Sequence, residues 1–291
     1  MTSGRPGSAT VPRWFREPAG QADAACLLFC LPYSGGGASA FRSWRGLLAP
    51  QVGVLPVCLP GREERIGEPL RMPIAEIAAA IAARADRPYA IYGHSMGARL
   101  GFEVIRELDR CGAPLPVTFY PAAARPLDIR DPIADSVLLP DDEFLAALID
   151  RVGMPAEVAQ VPELRALLLP VLRADFQWIY RYRYRADPPL RVPVTALAGI
   201  ADGEVSADVM LGWQRMTSAG FRLHTIDGGH LFLQDAAAPQ LCELLSADLL
   251  ALAGRPTKNV SDKVPQQAGL TDDLPARATL RGGLPPGEAR S

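Results

Sequence analysis

An α/β fold is predicted for this 291-residue chain, with a mostly parallel, doubly wound sheet and a helical lid insertion. Three observations predict it. Six short apolar runs of strand length alternate with stretches of helical spacing, the pattern of repeated strand–helix–strand units. The runs are near-continuously apolar, as strands covered on both faces require. Finally, residues 131–187 hold several helix-like pieces and no clear strand, which breaks the rhythm and marks a cap or lid laid over the sheet.

Taken in order, residues 1–12 are rich in Ser, Gly, Thr and Pro and read as a flexible lead-in to a folded domain over 13–253. "ACLLFCL" (25–31) is the first strand, followed by the glycine-rich "LPYSGGGASAFRSW" (31–44). "VGVLPVCL" (52–59) is the second strand, and "PIAEIAAAIAARA" (73–85) has apolar residues at helical spacing. "YAIYG" (89–93) is the third strand. In the helix predicted over 96–108, Gly97, Gly101, Val104 and Leu108 form one stripe, with Arg99, Glu103 and Glu107 on another face. "LPVTFY" (115–120), "VPVTALAG" (192–199) and "FRLHTI" (221–226) complete the strands, and a final helix follows the last of them. From Gly254 to Ser291 the chain mixes Pro, Gly and charge without a period, so a disordered tail is expected.

Composition excludes several function classes. The 30 basic and 32 acidic residues nearly cancel, so neither nucleic acid nor an anionic membrane is the expected partner. The only lysines, Lys258 and Lys263, lie in the tail, which excludes a Schiff-base, pyridoxal or Walker-type lysine from the folded part. Five cysteines without CxxC spacing imply neither a disulfide framework nor a zinc site. The first residues lack a signal-peptide core, and no apolar run reaches membrane-spanning length, so a cytoplasmic protein is expected, with a monomer as the default.

The chemistry is carried by "YGHSMG". Gly93-His94-Ser95-Met96-Gly97 fits G-x-S-x-G directly after a strand and before a helix, where the turn exposes a serine hydroxyl as a nucleophile. The same turn puts the Met96 backbone N–H at a helix N-terminus, where it can bind an oxyanion. A second donor is expected from Tyr33 or Ser34 in the loop after the first strand. A serine nucleophile needs a base, and the chain has three histidines. His94 adjoins the serine and should point away from it, and His224 lies inside a predicted strand. His230, in the loop "DGGHLFL", is left as the base and follows the serine in the order the motif requires. The orienting acid should follow a strand between the two: Asp202 fits best, with Asp128 and Glu204 as alternatives, while Asp227 shapes its own turn.

Together, "LFCLPYSGGGASAFRSW", "VLPVCLPGREERIGEPL", "YGHSMGARLGFEV", "LLLPVLRADF", "VTALAGIADGEVS" and "FRLHTIDGGHLFL" resemble the type II thioesterases of polyketide and nonribosomal peptide pathways, over about Trp14 to Ala253. The resemblance implies an α/β-hydrolase fold with a flexible lid. It implies hydrolysis of acyl or peptidyl thioesters from the phosphopantetheine arm of carrier proteins, with nucleophile, acid and base on Ser95, Asp202 and His230. Two places depart from the family pattern. Gly203 stands where the family has proline after the acid, and "PAAARPLDI" (121–129) replaces a Ser-Gly type sequence, which bears on acyl preference more than on catalysis.

No metal or organic cofactor is expected for this chemistry, beyond the phosphopantetheine that carries the substrate. Phe144, Leu168, Leu172 and Trp178 are candidates to line the acyl site, and Arg181, Arg183 or Arg185 to meet the pantetheine phosphate or an acidic carrier face. A small-molecule esterase or acyltransferase of the same fold is the competing reading. A non-catalytic binding member of the fold is a more distant one.

Overall fold

The computed structural model describes residues 14–254 except 18–20, 22 and 235. The lead-in expected over 1–12 and the tail expected after Gly254 lie outside the described residues.

Six strands form one sheet: β1 (Cys26–Leu31), β2 (Val52–Pro56), β3 (Tyr89–His94), β4 (Thr118–Ala122), β5 (Val194–Gly199) and β6 (Phe221–Ile226). Their order is β2-β1-β3-β4-β5-β6, and every neighbouring pair is parallel. Trp14–Arg16 adds an antiparallel flank, with Phe15 bridging Val57. This is why the run 52–59 divides into a parallel strand and an edge segment. β4 runs two residues beyond Tyr120, through Pro121. Proline can donate nothing to a ladder, but pairing resumes at once, with Ser95 N–H donating to the Ala122 carbonyl and Ala123 N–H to that of Leu197.

Because side chains alternate across a strand, β1 feeds two cores. Leu27, Phe29 and Leu31 face one side, where Ile77 and Ile81 of α2 (Ile74–Ala82) and Phe102 and Ile105 of α3 (Met96–Arg110) cover them. Cys26, Leu28 and Cys30 face the other, against Trp44 of α1 (Trp44–Leu47) and the Leu241, Leu245 and Leu249 row of α8 (Ala238–Ala253). The expected doubly wound architecture is present. β6 departs from it: as an edge strand it leaves Arg222 and Thr225 exposed and His224 half-buried, so it is not covered on both faces.

The interval without strands is helical: a 3-10 segment (Pro132–Leu138), then α4 (Asp141–Val152), α5 (Glu157–Gln160) and α6 (Pro162–Arg181). α4 begins with three acidic residues and ends at Gly153 in the left-handed region, at φ 69°. Ile133, Phe144, Leu145, Leu148, Val158, Leu172 and Phe176 form a hydrophobic core separate from those of the sheet. A four-residue helix, α7 (Ala207–Met210), precedes β6. The strand order reverses between β1 and β3, which opens a crevice at the carboxyl ends of these strands where a site is expected in sheets of this kind.

Candidate active site

Ser95 sits at the tip of the β3–α3 turn with φ 53° and ψ −113°, a conformation that L-residues avoid and that costs about 1–3 kcal/mol. The flanking glycines make the turn possible. A Cβ on Gly93 would overlap the Gly97 carbonyl, and one on Gly97 would overlap the Leu31 carbonyl, so α3 can close on β1 and β3 only with hydrogens at both positions.

Ser95 Oγ lies 3.1 Å from His230 Nε2, and His230 Nδ1 lies 2.9 Å from Asp202 Oδ2. An ionised carboxylate only accepts, so Nδ1 carries the proton and Nε2 is free to accept from the serine hydroxyl. Asp202 is buried, and its other oxygen accepts from the backbone N–H groups of Glu204 and Val205 at 2.9 and 3.0 Å. Burial alone would raise its pKa; the hydrogen bond and charge of His230, with the two amide donors, outweigh burial and hold it below the ordinary value. The alternative acids have other partners. Asp128 pairs with Arg215, and Glu204 pairs with Arg151 of α4 at 2.6 Å.

His94 is fully buried behind the elbow. Its Nε2 lies 2.6 Å from the His230 carbonyl and its Nδ1 2.8 Å from the Tyr92 hydroxyl. A carbonyl cannot donate, so Nε2 carries the proton and the ring, when neutral, accepts from Tyr92 at Nδ1. Burial, with the neighbouring His230, pushes its pKa down to about 3 and keeps it neutral. His94 is thus a strut that fixes the backbone of the histidine loop.

Met96 begins α3, so its N–H is among the first-turn donors that have no intrahelical acceptor. Across the cleft, Tyr33 and Ser34 line the same space as Ser95 and His230. The loop carrying them is anchored from the lid, an arrangement the sequence did not disclose. Asp175 of α6 is completely buried and accepts from Gly35 N–H at 2.8 Å and from both terminal nitrogens of Arg62 at 2.8 and 2.7 Å. Arg62 also donates to the Gly36 carbonyl at 3.0 Å. The signal was an acid within the apolar row Leu172, Phe176 and Ile179. A second lid tether, Arg151–Glu204, ends on the loop of Asp202.

The remaining candidates are distributed unevenly. Leu172 lines the cleft beside Ser95, together with Leu148, Phe176 and Ile179, which sequence reading missed. Phe144 and Leu168 do not line it: Phe144 stacks edge-on against Phe176 inside the lid, and Leu168 packs against that same lid core. Trp178, one residue off the cleft-facing row, packs instead beside Tyr182 against the sheet core. Arg181, Arg183 and Arg185 are exposed; Arg181 borders a recess with Arg71, and Arg183 donates to the carbonyls of Tyr180 and Tyr182. Arg99, read as lying on a polar face, is buried, because the segment after the lid crosses that face and lays Tyr182 against it.

The cleft at Ser95 has a volume of about 60 Å³. A neighbouring cavity of about 440 Å³ shares Asp131 and Ile179 as walls.

Residues 27–249 match the family model described as thioesterase domain. The chain is 36% identical over 244 residues to the protein named linear gramicidin dehydrogenase LgrE of Brevibacillus parabrevis, covering 81% of this chain and 92% of that protein. It is 34% identical over 263 residues to thioesterase PikA5 of Streptomyces venezuelae, covering 88% and 92% of the two chains. Among solved structures it resembles RedJ, the thioesterase of the prodiginine pathway of Streptomyces coelicolor, with a TM-score of 0.72 and 32% identity over 84% of this chain and 91% of that one.

Proposed function

This chain belongs to the thioesterase domain family, and from that membership we propose that it is a type II thioesterase, hydrolysing acyl or peptidyl groups from the phosphopantetheine arm of carrier proteins in a polyketide or nonribosomal peptide synthase. The observation that carries the reading is the continuous hydrogen-bonded line Ser95–His230–Asp202 in an apolar cleft under a lid.

In the proposed reaction His230 Nε2 takes the Ser95 proton as Oγ attacks the thioester carbonyl. The oxyanion is held by the N–H of Met96 and one from the 33–34 loop. Collapse breaks the C–S bond, and the imidazolium delivers its proton to the departing thiolate. Water, deprotonated by the same base, then cleaves the acyl-enzyme to the free acid. Asp202 keeps Nδ1 protonated and stabilises the imidazolium while it exists. Neither step calls for a metal or organic cofactor.

The test compares one acyl group on a carrier protein, on coenzyme A and on p-nitrophenol. The carrier-bound thioester should give the highest kcat/KM. Equal or better turnover of the p-nitrophenyl ester, with none of the carrier substrate, would instead identify a small-molecule esterase.

A further inference from the structure

Asp202 has to keep one carboxylate oxygen on His230 through every turnover, yet the loop it opens begins with a residue that does nothing to stiffen it. Gly203 has no left-handed φ, and a Cβ there would meet nothing within 4 Å, so no local steric demand calls for glycine. Order returns at the next residue. The Glu204 N–H donates at 2.9 Å to the Asp202 oxygen that His230 does not use, and the Val205 N–H joins it at 3.0 Å. These amides orient the acid only while the backbone at 204–205 stays in place. Two arginines from outside the loop hold it there. Arg125, from the segment after β4, donates to the Glu204 carbonyl at 2.6 Å. Arg151, in the last turn of α4, grips the Glu204 carboxylate through Nε and Nη2 at 2.6 and 2.8 Å, the two-point geometry in which guanidinium and carboxylate fix each other's direction. The same end of α4 reaches the cleft at Ser95: Leu148 and Val152 line it from the helix, and Met154 and Pro155 from just beyond. A continuous line therefore runs from the cleft wall through Arg151 and Glu204 to Asp202 and His230.

We propose that Glu204 is a positioning residue for the catalytic acid, gripped by Arg151 of the lid so that the cleft wall and the Asp202 loop hold one geometry. The proposal rests on the thioesterase reading for its substrate. Any residue at 204 would offer the same N–H to Asp202; what the carboxylate adds is a fixed place for that N–H. Without the grip, the Arg125 contact and the cleft side chains remain, but the backbone around Gly203 is free to shift. The loss falls on kcat rather than on KM, because Asp202 acts on the imidazolium that exists only during the reaction.

The experiment measures kcat and KM for butyryl-pantetheine and for p-nitrophenyl butyrate on the full chain, with active sites counted by titrating Ser95 with a fluorophosphonate so that unfolded protein does not enter kcat. Glu204→Gln and Arg151→Gln should each lower kcat about tenfold on both substrates, with KM within about twofold of wild type. Adding Gly203→Ala to either variant narrows the backbone freedom beside Asp202 and should raise kcat again by about threefold or more. If Glu204→Gln does not fold, Arg151→Gln decides, since its side chain is 34% exposed against 12% for Glu204. A wild-type kcat in Arg151→Gln overturns the positioning role, as does a loss confined to KM or one that Gly203→Ala leaves untouched. Wild-type cleavage of the ester with none of the thioester removes the thioesterase reading, and the variants' kcat on the ester still decides for or against Glu204. Cleavage of neither removes both.

Discussion

The buried Arg62–Asp175 pair joins the lid to the loop proposed to hold the oxyanion, and replacing Asp175 with leucine separates its two roles. The substitution leaves the Arg62 guanidinium, whose side chain is 5% exposed, without the one carboxylate it pairs with among the described residues. Breaking a buried ion pair from one side costs about 3–5 kcal/mol. For a folded unit of this size that corresponds to a fall in Tm of roughly 6–20 °C. Gly35 N–H also loses its acceptor, so the 33–34 loop is released and kcat should fall about tenfold to hundredfold through misplacement alone. In Arg62→Met/Asp175→Leu the stranded charge is gone, and at least about 2 kcal/mol of stability should return. Activity should not return, because Gly35 remains unanchored. Thermal melts by circular dichroism, together with thiol release measured well below the melting range, read the two effects separately. A single variant that melts within about 2 °C of wild type would refute the energetic argument. A double variant with full activity would refute the anchoring argument.

Two further outcomes follow from the elbow and its strut. Ser95→Gly relieves a positive φ at the cost of glycine's extra unfolded-state freedom, so it should abolish activity yet raise stability by about 1 kcal/mol, read by denaturant melts; a less stable variant would contradict the strain assigned to the turn. His94, at about 3 against an ordinary 6.5, binds its proton more readily in the unfolded chain, so the stability of keeping it neutral is complete above 6.5 and lost as pH falls toward 3, by up to about 1.4 kcal/mol per unit. Asp202, with its lowered pKa, adds acid sensitivity of the same sign as pH falls below its ordinary 3.8. His94→Gln should flatten the slope between pH 6.5 and 4 in urea melts. An unchanged slope would show that other groups carry it.

Local features of the site were legible in the sequence. The elbow is a five-residue pattern whose steric logic is complete within the turn. His230 followed by elimination in a chain with three histidines, and Asp202 by its place after a strand. What stayed hidden was long-range. Arg62 and Asp175 are 113 residues apart, and no periodicity links a 3-10 turn to a lid helix. Arg99 belongs by spacing to the polar side of α3, and only the return of the chain from the lid buries it. The lid helices were placed correctly, but a lid has an apolar face toward its own core and another toward the cleft. Composition could not assign Phe144 to the first and Leu172 to both. The strand boundary at Tyr120 failed for a related reason, since Pro121 reads as a stop until pairing on either side carries the ladder past it.

The most direct test is to follow the acyl group itself. Wild-type protein mixed with a butyryl-phosphopantetheinyl carrier protein and quenched on the millisecond scale should carry one butyryl mass on the peptide containing Ser95, appearing with thiol release and decaying as butyrate forms. Ser95→Ala should show neither the adduct nor turnover above about a thousandth of wild type. Butyrate formation at an undiminished rate in Ser95→Ala, or an adduct mapped to any other residue, would contradict the account.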